Sequence, residues 1–239
     1  MRHLFSLIYI IGVISTCYAS NIKDSAVCSD STIIIVDTVT TNKDTYIRLS
    51  EEDYQRVAEE LGIEVATMKC VVEVEAGTSH NGFVALGKPI INFDISLFKK
   101  FLRKKGISYR KHLKKEAFKK PDISKYGSYG KAQWARLESA RQIDSITANE
   151  ATFWGMFQIG GFNWKRCGCK SLDEFIYKMC DSEAMQLELF AQFCKSSNLV
   201  KYLRKKEWSK FAYKYNGPSY KSRGYHKKLK TKYNKHKKS

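Results

Sequence analysis

The chain has 239 residues, of which 43% are hydrophobic and only three are proline. This length excludes a peptide too small to bury a core of its own, and the few prolines favour a compact, mainly α-helical domain. The formal net charge of +18 indicates a polyanionic partner, such as nucleic acid, an anionic membrane or the bacterial cell wall.

The N-terminus has the pattern of a secretory signal, MRHLFSLIYIIGVISTCYAS. A basic residue precedes an apolar run that is short for a bilayer span, and small residues ending at Ala19 resemble a cleavage site. We therefore predict a signal peptide over residues 1–19 and an exported protein, periplasmic or secreted. Two alternatives stay open: a retained signal anchor, and a lipid anchor at Cys17, although residues 14–16 match the usual lipidation pattern poorly.

Six cysteines follow the predicted cleavage point, and an even number favours disulfide bonds in an exported chain. They are Cys28, Cys70, Cys167, Cys169, Cys180 and Cys194. The sequence does not choose their pairing. Cys167 and Cys169 are a poor zinc motif, because structural zinc ligands are usually further apart along the chain. We predict no metal site and no cofactor.

The domain begins close to Ser50. Residues 20–48 are polar and β-branched without a helical period, and they are predicted to be a partly ordered lead. Ser50 is a good N-cap, and acids follow it in the first turn, where the helix dipole favours them. Residues 49–239 are therefore predicted to form a mainly α domain, with one β-hairpin whose turn is near residues 86–89.

Two basic blocks carry much of the charge. Residues 99–120 contain eleven Lys or Arg and one Glu, and residues 221–239 contain nine Lys or Arg and no acid. Each block is either a solvated helix face or a surface for an anionic envelope. In the second block, Tyr225, Leu229 and Tyr233 recur every four residues, which predicts a docked helix with one apolar edge and basic side chains facing outward.

One carboxylate falls on an apolar helical stripe. Met68, Val71, Val72 and Glu75 have helical spacing, whereas Glu73 follows Lys69 by four residues and is expected to pair with it at the surface. Burial disfavours the charged form of a carboxyl, so Glu75 is expected to have a raised pKa, as a general acid requires. The alternative is that Glu75 ends the helix and faces solvent.

The segment ATFWGMFQIGGFNW, residues 151–164, is not an ordinary helix. Aromatic side chains crowd its first half, and Gln158 stands on an exposed-looking turn before Gly160 and Gly161. A wall of aromatics beside an amide is typical of a sugar-binding cleft, where glycines let a glycan approach the backbone. The alternative for each aromatic residue is a place in the core.

Six motifs together resemble one known family. The segment VVEVEAG resembles the catalytic-helix motif of the phage-type N-acetylmuramidase endolysins, a lysozyme-like family that usually reads EVES-G at this point. The resemblance continues in family order to about residue 235, through INFDISLF, YGSYGKAQWARLESA, WGMFQIGGFNWKRCG, MCDSEAMQLELFAQF and FAYKYNGPSY. GMFQI and YNGP also resemble GLMQI and AYN-G of lytic transglycosylases and goose-type lysozymes. The resemblance implies a lysozyme-like fold with the hairpin beside the catalytic helix.

The resemblance also implies roles for single residues. Glu75 matches the catalytic glutamate of the family. Residues of two motifs match segments that line the glycan groove, and they are Trp154, Phe157, Gln158, Tyr215 and Asn216.

The chain departs from the family pattern near both of its candidate carboxylates. Ala76 stands where the family usually has Ser, and Asp94 stands where members commonly have Glu. Asp94 is the best candidate for a second catalytic carboxylate, although its side chain is one methylene shorter.

The function implied is a monomeric peptidoglycan hydrolase that cuts the β-1,4 bond between N-acetylmuramic acid and N-acetylglucosamine. Two alternatives stay open. One is lytic transglycosylation, which gives 1,6-anhydro products and needs no second protein carboxylate. The other is a non-catalytic basic protein that binds the envelope or nucleic acid. No zinc finger, RNA-binding motif or helix-turn-helix is recognisable, so a nucleic-acid partner is not expected.

Overall fold

The structure is a computed structural model that describes residues 48–76 and 81–238. The predicted signal peptide, the lead up to residue 47 and Cys28 lie outside these residues. Most of the described chain is helical, which confirms the predicted mainly α class. The α-helices are α1 Glu51–Leu61, α2 Val65–Glu75, α3 Ile95–Lys104, α4 Ile123–Tyr126, α5 Tyr129–Arg141, α6 Ser145–Glu150, α7 Leu172–Asp181, α8 Glu183–Ser196, α9 Val200–Arg204, α10 Trp208–Asn216 and α11 Tyr225–His236.

Helix α1 begins where the sequence predicts. The Ser50 side chain accepts a hydrogen bond from the backbone N–H of Asp53, and the Asp53 side chain accepts one from the backbone N–H of Ser50. This reciprocal pair satisfies two backbone donors that the first helical turn leaves free. The helix ends at Gly62, whose positive φ of 60° suits a residue without a Cβ.

Two small antiparallel sheets accompany the helices. The strands are β1 Phe83–Ala85, β2 Lys88–Pro89, β3 Ile91–Phe93, β4 Thr152–Trp154 and β5 Ile159–Gly160. The pair β1 and β2 forms a hairpin at the predicted place, but its second strand is Lys88–Pro89, which was predicted as part of the turn. The apolar segment after it, predicted as the second strand, is β3 and pairs with β4 instead. The sheet of β3, β4 and β5 was not predicted, because its strands have two or three residues each and show too little alternation to detect.

Helix α11 is part of the core rather than a loose basic tail. It packs along α2, and its Leu229 and Tyr233 are buried, as the four-residue spacing predicts. The prediction that its basic residues all face outward is wrong. Lys232 donates a hydrogen bond to Glu73, and the ring Nε2 of His236 lies 2.8 Å from the other carboxylate oxygen of Glu73.

The predicted surface pair of Lys69 and Glu73 is also wrong. Lys69 instead lies 2.5 Å from a carboxylate oxygen of Glu51 at the start of α1. Glu73 is only 11% exposed, because α11 covers that side of α2. Spacing within one helix cannot reveal a partner such as Lys232, which lies 159 residues further along the chain.

The five cysteines of the described residues are free thiols, namely Cys70, Cys167, Cys169, Cys180 and Cys194. The predicted disulfides are therefore absent among them. All but Cys180 are buried, and a buried thiol packs like a small apolar side chain. Within residues 48–76 and 81–238, no helix has both the length and the apolar character needed to span a bilayer.

Candidate active site

Helix α2 delivers one acid to the wall of a cleft. Met68, Val71 and Val72 are buried on its inner face, and Glu75 follows on the same stripe, partly buried in the last turn. The cleft has a volume of about 550 Å³, in the range of sites that bind small molecules or short polymer segments.

The Glu75 carboxyl has an environment that favours its neutral form. Burial raises its pKa to about 7, and a hydrogen bond of 3.3 Å donated by Asn216 acts in the opposite direction. No basic side chain of the described residues forms an ion pair with Glu75. The group can therefore hold a proton near neutral pH, as the sequence predicts.

The cleft is walled by rings and lined with amides. Its aromatic residues are Phe153, Phe157, Phe162, Phe193, Tyr215 and Tyr225. Its polar residues besides Glu75 are Asn92, Gln158, Asn163, Asn216 and Arg223. Sugars present apolar C–H faces and hydroxyl or amide edges, so this combination suits a carbohydrate.

Four of the five predicted groove residues meet Glu75 in this cleft. Phe157 forms part of its buried floor and stacks on Phe190 with ring centroids 4.3 Å apart. The Tyr215 hydroxyl donates a 2.6 Å hydrogen bond to the carbonyl oxygen of Phe157, which ties the end of α10 to the turn after β4. Gln158 and Asn216 also line the cleft.

The turn from Gly155 to Gln158 is fixed by the buried side-chain amide of Gln186, a residue that the sequence analysis did not identify. Oε1 of Gln186 accepts a 2.8 Å hydrogen bond from the backbone N–H of Met156, and its Nε2 donates to the carbonyl of Met179. Gln158 itself has a positive φ of 48°, and its side chain bonds back to the carbonyl of Gly155 at 2.8 Å. The turn therefore presents Gln158 at a fixed position.

Trp154 is not a groove residue, and this prediction is wrong. Its side chain is fully buried, and its indole N–H donates to the carbonyl oxygen of Asn149 at 3.0 Å. Neighbouring strand residues point to opposite faces, so Phe153 lines the cleft while Trp154 packs against Trp134 on the other side.

Asp94 lies outside the residues that line the cleft. Its carboxylate caps α3 by accepting a 2.9 Å hydrogen bond from the backbone N–H of Leu97. Glu75 is the only acid among the described residues of the cleft lining. The residues that the structure describes also hold no group of three or more side chains suited to a metal ion.

Gly160 and Gly161 leave room for the protein's own atoms. A Cβ on Gly161 would lie 2.1 Å from the carbonyl oxygen of Asn149, and a Cβ on Gly160 would lie 2.4 Å from the ring of Phe162. The expected reason, close approach of a glycan to the backbone, is therefore not needed to explain them. Gly160 lets the Phe162 ring lie against the strand at the edge of the cleft.

The sequence did not predict more than half of the residues that line the cleft. Alternation in β3, where Ile91 and Phe93 are buried and Asn92 is exposed, is the signal that could have identified Asn92. The same rule applied to β4 would have chosen Phe153. Arg223 and Tyr225 reach the cleft only because the chain returns after α10, and no local pattern marks them.

Comparisons with known proteins cover this same region. The family model described as N-acetylmuramidase matches residues 64–237. The crystal structure of the Burkholderia AP3 phage endolysin is similar, with 33% sequence identity and a TM-score of 0.66. The match covers 80% of this chain and 71% of the endolysin chain, and it confirms the predicted lysozyme-like fold. No curated protein matches the sequence.

Proposed function

This chain belongs to the N-acetylmuramidase family of peptidoglycan hydrolases, and we propose that it cleaves the β-1,4 bond between N-acetylmuramic acid and N-acetylglucosamine with Glu75 as the general acid. The observation that carries the proposal is the position of Glu75. It is a carboxyl with a raised pKa, without a cationic partner among the described residues, in a cleft of aromatic rings and amides.

Protonated Glu75 donates its proton to the glycosidic oxygen as the bond to the anomeric carbon breaks. The leaving sugar departs with a hydroxyl group, and the anomeric carbon gains oxocarbenium character. Glu75 is left as a carboxylate, which the amide of Asn216 stabilises by a hydrogen bond. The same carboxylate can then accept a proton from the group that attacks the anomeric carbon.

The glycan would lie against the rings and amides of the cleft. Phe153, Phe162 and Tyr225 offer ring surface for the C–H faces of the sugars, and Phe162 is 43% exposed. Asn92, Gln158 and Asn163 offer amide groups for hydroxyl and N-acetyl groups. Substrate contact by Gln158, Tyr215 and Asn216 is part of this proposal.

A second candidate is lytic transglycosylation, and the position of Asp94 favours it. With Glu75 as the only acid of the described lining, attack by the muramyl 6-hydroxyl would complete the reaction without a second carboxylate. Asp94→Asn is a clean test of Asp94, because Asn is an equally good helix N-cap and only the charge is lost. An inactive Asp94→Asn enzyme of normal stability would restore Asp94 as the second catalytic group.

Mass spectrometry of the products from purified sacculi tests the proposal. Hydrolysis leaves a reducing N-acetylmuramic acid end, whereas transglycosylation leaves a 1,6-anhydro end. Release of neither product by the purified wild-type protein would contradict both candidates and leave the non-catalytic envelope-binding alternative.

Export and envelope contact are part of the same proposal. Peptidoglycan lies outside the bacterial cytoplasm, which is why a signal peptide over residues 1–19 fits this function. Arg103, Lys104, Arg110, Lys111 and Lys114 are exposed in the first basic block, where anionic wall polymers could approach them.

A further inference from the structure

Arg223 is a cation in the cleft without a partner among the residues that the structure describes. It is exposed, and it is the only Lys or Arg among the described residues that line the cleft around Glu75. Its side chain makes no hydrogen bond or ion pair with another described residue. It forms no ion pair with Glu75, although both residues line the cleft.

The backbone that carries Arg223 is anchored at both ends. The segment begins after Asn216, at the end of α10, and ends at Gly224, the N-cap of α11, with a positive φ of 68°. The backbone N–H of Arg223 donates to the carbonyl of Ser219 at 3.3 Å. Buried Tyr220 packs against Tyr213 and His226, with ring centroids 6.0 and 5.3 Å apart. The backbone at Arg223 is therefore held in place beside the cleft, and its side chain is exposed there.

A bare glycan offers a guanidinium group hydrogen-bond acceptors but no anion with which to form an ion pair. The sugar rings of a chitin-like chain are uncharged, and the amides of the cleft already suit their hydroxyl and N-acetyl groups. In peptidoglycan, each muramyl sugar bears a lactyl group with a peptide stem, and these stems carry free carboxylates. A planar guanidinium binds a carboxylate through two parallel hydrogen bonds.

We propose that Arg223 is a specificity-determining residue that binds a carboxylate of the peptide stem on the muramyl sugar next to the cleaved bond. This inference rests on the proposed function, because it assumes that the glycan strand occupies the Glu75 cleft. Its consequence is selection of peptide-bearing strands over glycans without charge.

Soluble peptidoglycan strands in two forms test the inference. One form is untreated, and in the other the stem carboxylates have been converted to carboxamides with ammonium and a carbodiimide. Both are purified free of phosphate-bearing wall polymers. The enzymes are wild type, Arg223→Gln, and Lys221→Gln as a control that removes an exposed cation from the same segment outside the cleft lining.

On untreated strands, Arg223→Gln should raise KM about tenfold with little change in kcat, because the lost contact is made equally in the ground and transition states. On amidated strands, wild type and Arg223→Gln should have the same KM. Lys221→Gln should match wild type on both forms. Added salt should shrink the Arg223 effect on untreated strands, since the residue is exposed.

If Arg223→Gln raised KM equally on untreated and amidated strands, the inference would be overturned and a structural role indicated. The inference would also be overturned if Arg223→Gln left KM on untreated strands unchanged, or if Lys221→Gln raised it as much as Arg223→Gln does. None of these results would affect the proposed function, which would fail if wild type cleaved neither form.

Discussion

The Asn216 side-chain amide donates a hydrogen bond of 3.3 Å to Oε1 of Glu75, a residue 141 positions earlier in the chain. This bond joins the last residue of α10 to the last residue of α2 at the cleft wall. It stabilises the carboxylate form, and so it holds the pKa of Glu75 below the value that burial alone would give.

Asn216→Ala should therefore move the pH dependence of catalysis. A general acid must be protonated, so kcat/KM is expected to fall as the pH rises above the pKa of Glu75, about 7. Without the Asn216 amide the pKa of Glu75 rises, and the falling limb moves to higher pH. The measurement is kcat/KM on soluble strands across pH.

Asn163→Ala is the matched control, because it removes a cleft amide that makes no hydrogen bond to Glu75 among the described contacts. It should weaken binding without moving the limb. This account of the hydrogen bond would be contradicted if Asn216→Ala left the fall of kcat/KM at the same pH, or if Asn163→Ala shifted that fall by the same amount.

Glu75→Gln should gain stability relative to wild type as the pH rises. The folded protein binds the Glu75 proton up to about pH 7, whereas the unfolded chain loses it near the ordinary value of 4.5. Wild type thus loses stability across this window, and the variant has no proton to lose. The relative gain between about pH 4 and about pH 8 should reach up to about 3 kcal/mol.

Urea unfolding of both proteins at the two pH values measures this gain. A difference in free energy of unfolding that stays constant with pH would show that the pKa of Glu75 is not raised in the folded state.

Leu229→Ala should destabilise the whole domain. Leu229 is fully buried where α11 packs on α2, and truncating such a side chain costs about 2–5 kcal/mol. Lys230→Ala, at an exposed neighbour in the same helix, should stay within about 0.5 kcal/mol of wild type. Urea midpoints measure both changes. A Leu229→Ala protein as stable as wild type would mean that α11 is only a peripheral basic tail.

Glu73→Gln should destabilise the domain most at neutral pH. Burial raises the pKa of Glu73, but hydrogen bonds from Lys232 and His236 outweigh it and leave the pKa lowered. A lowered carboxyl pKa contributes stability that is present above the unfolded value of 4.5 and is lost as the pH falls through the folded value. The variant should be about 1–3 kcal/mol less stable near pH 7.

Chemical unfolding near pH 7 and near pH 3 tests the sign of this effect. The difference in free energy of unfolding between wild type and Glu73→Gln should be smaller at the lower pH. A gap that widens on acidification would contradict the ion pairs between α2 and α11.

Local sequence rules predicted the features that depend on neighbours in the chain. The Ser50 cap follows from the N-cap preference of serine. The apolar stripe that ends at Glu75 and the docking edge of Leu229 and Tyr233 follow from helical spacing. The place of the first hairpin also follows from local turn residues, although its second strand does not. In each case the residues that decide the structure lie within one or two turns of each other.

Features that depend on distant segments could not be predicted in the same way. The partners of Glu73 come from α11, and the choice between Phe153 and Trp154 depends on a strand of three residues pairing with β3. Asp94 matched a family position, yet in this chain its carboxylate is engaged by the first turn of α3. The family resemblance identified the segments that form the cleft. Which residues of each strand face the cleft could be seen only in the structure.

The most direct test of Glu75 as the general acid is the rate at which Glu75→Gln releases muropeptides from purified sacculi. The amide has nearly the same volume as the carboxyl but cannot donate the proton. Release should fall by at least about 100-fold while binding to sacculi and folding are retained. Glu59→Gln, the same substitution on the exposed face of α1, should keep the wild-type rate. Wild-type release by folded Glu75→Gln would contradict the assignment.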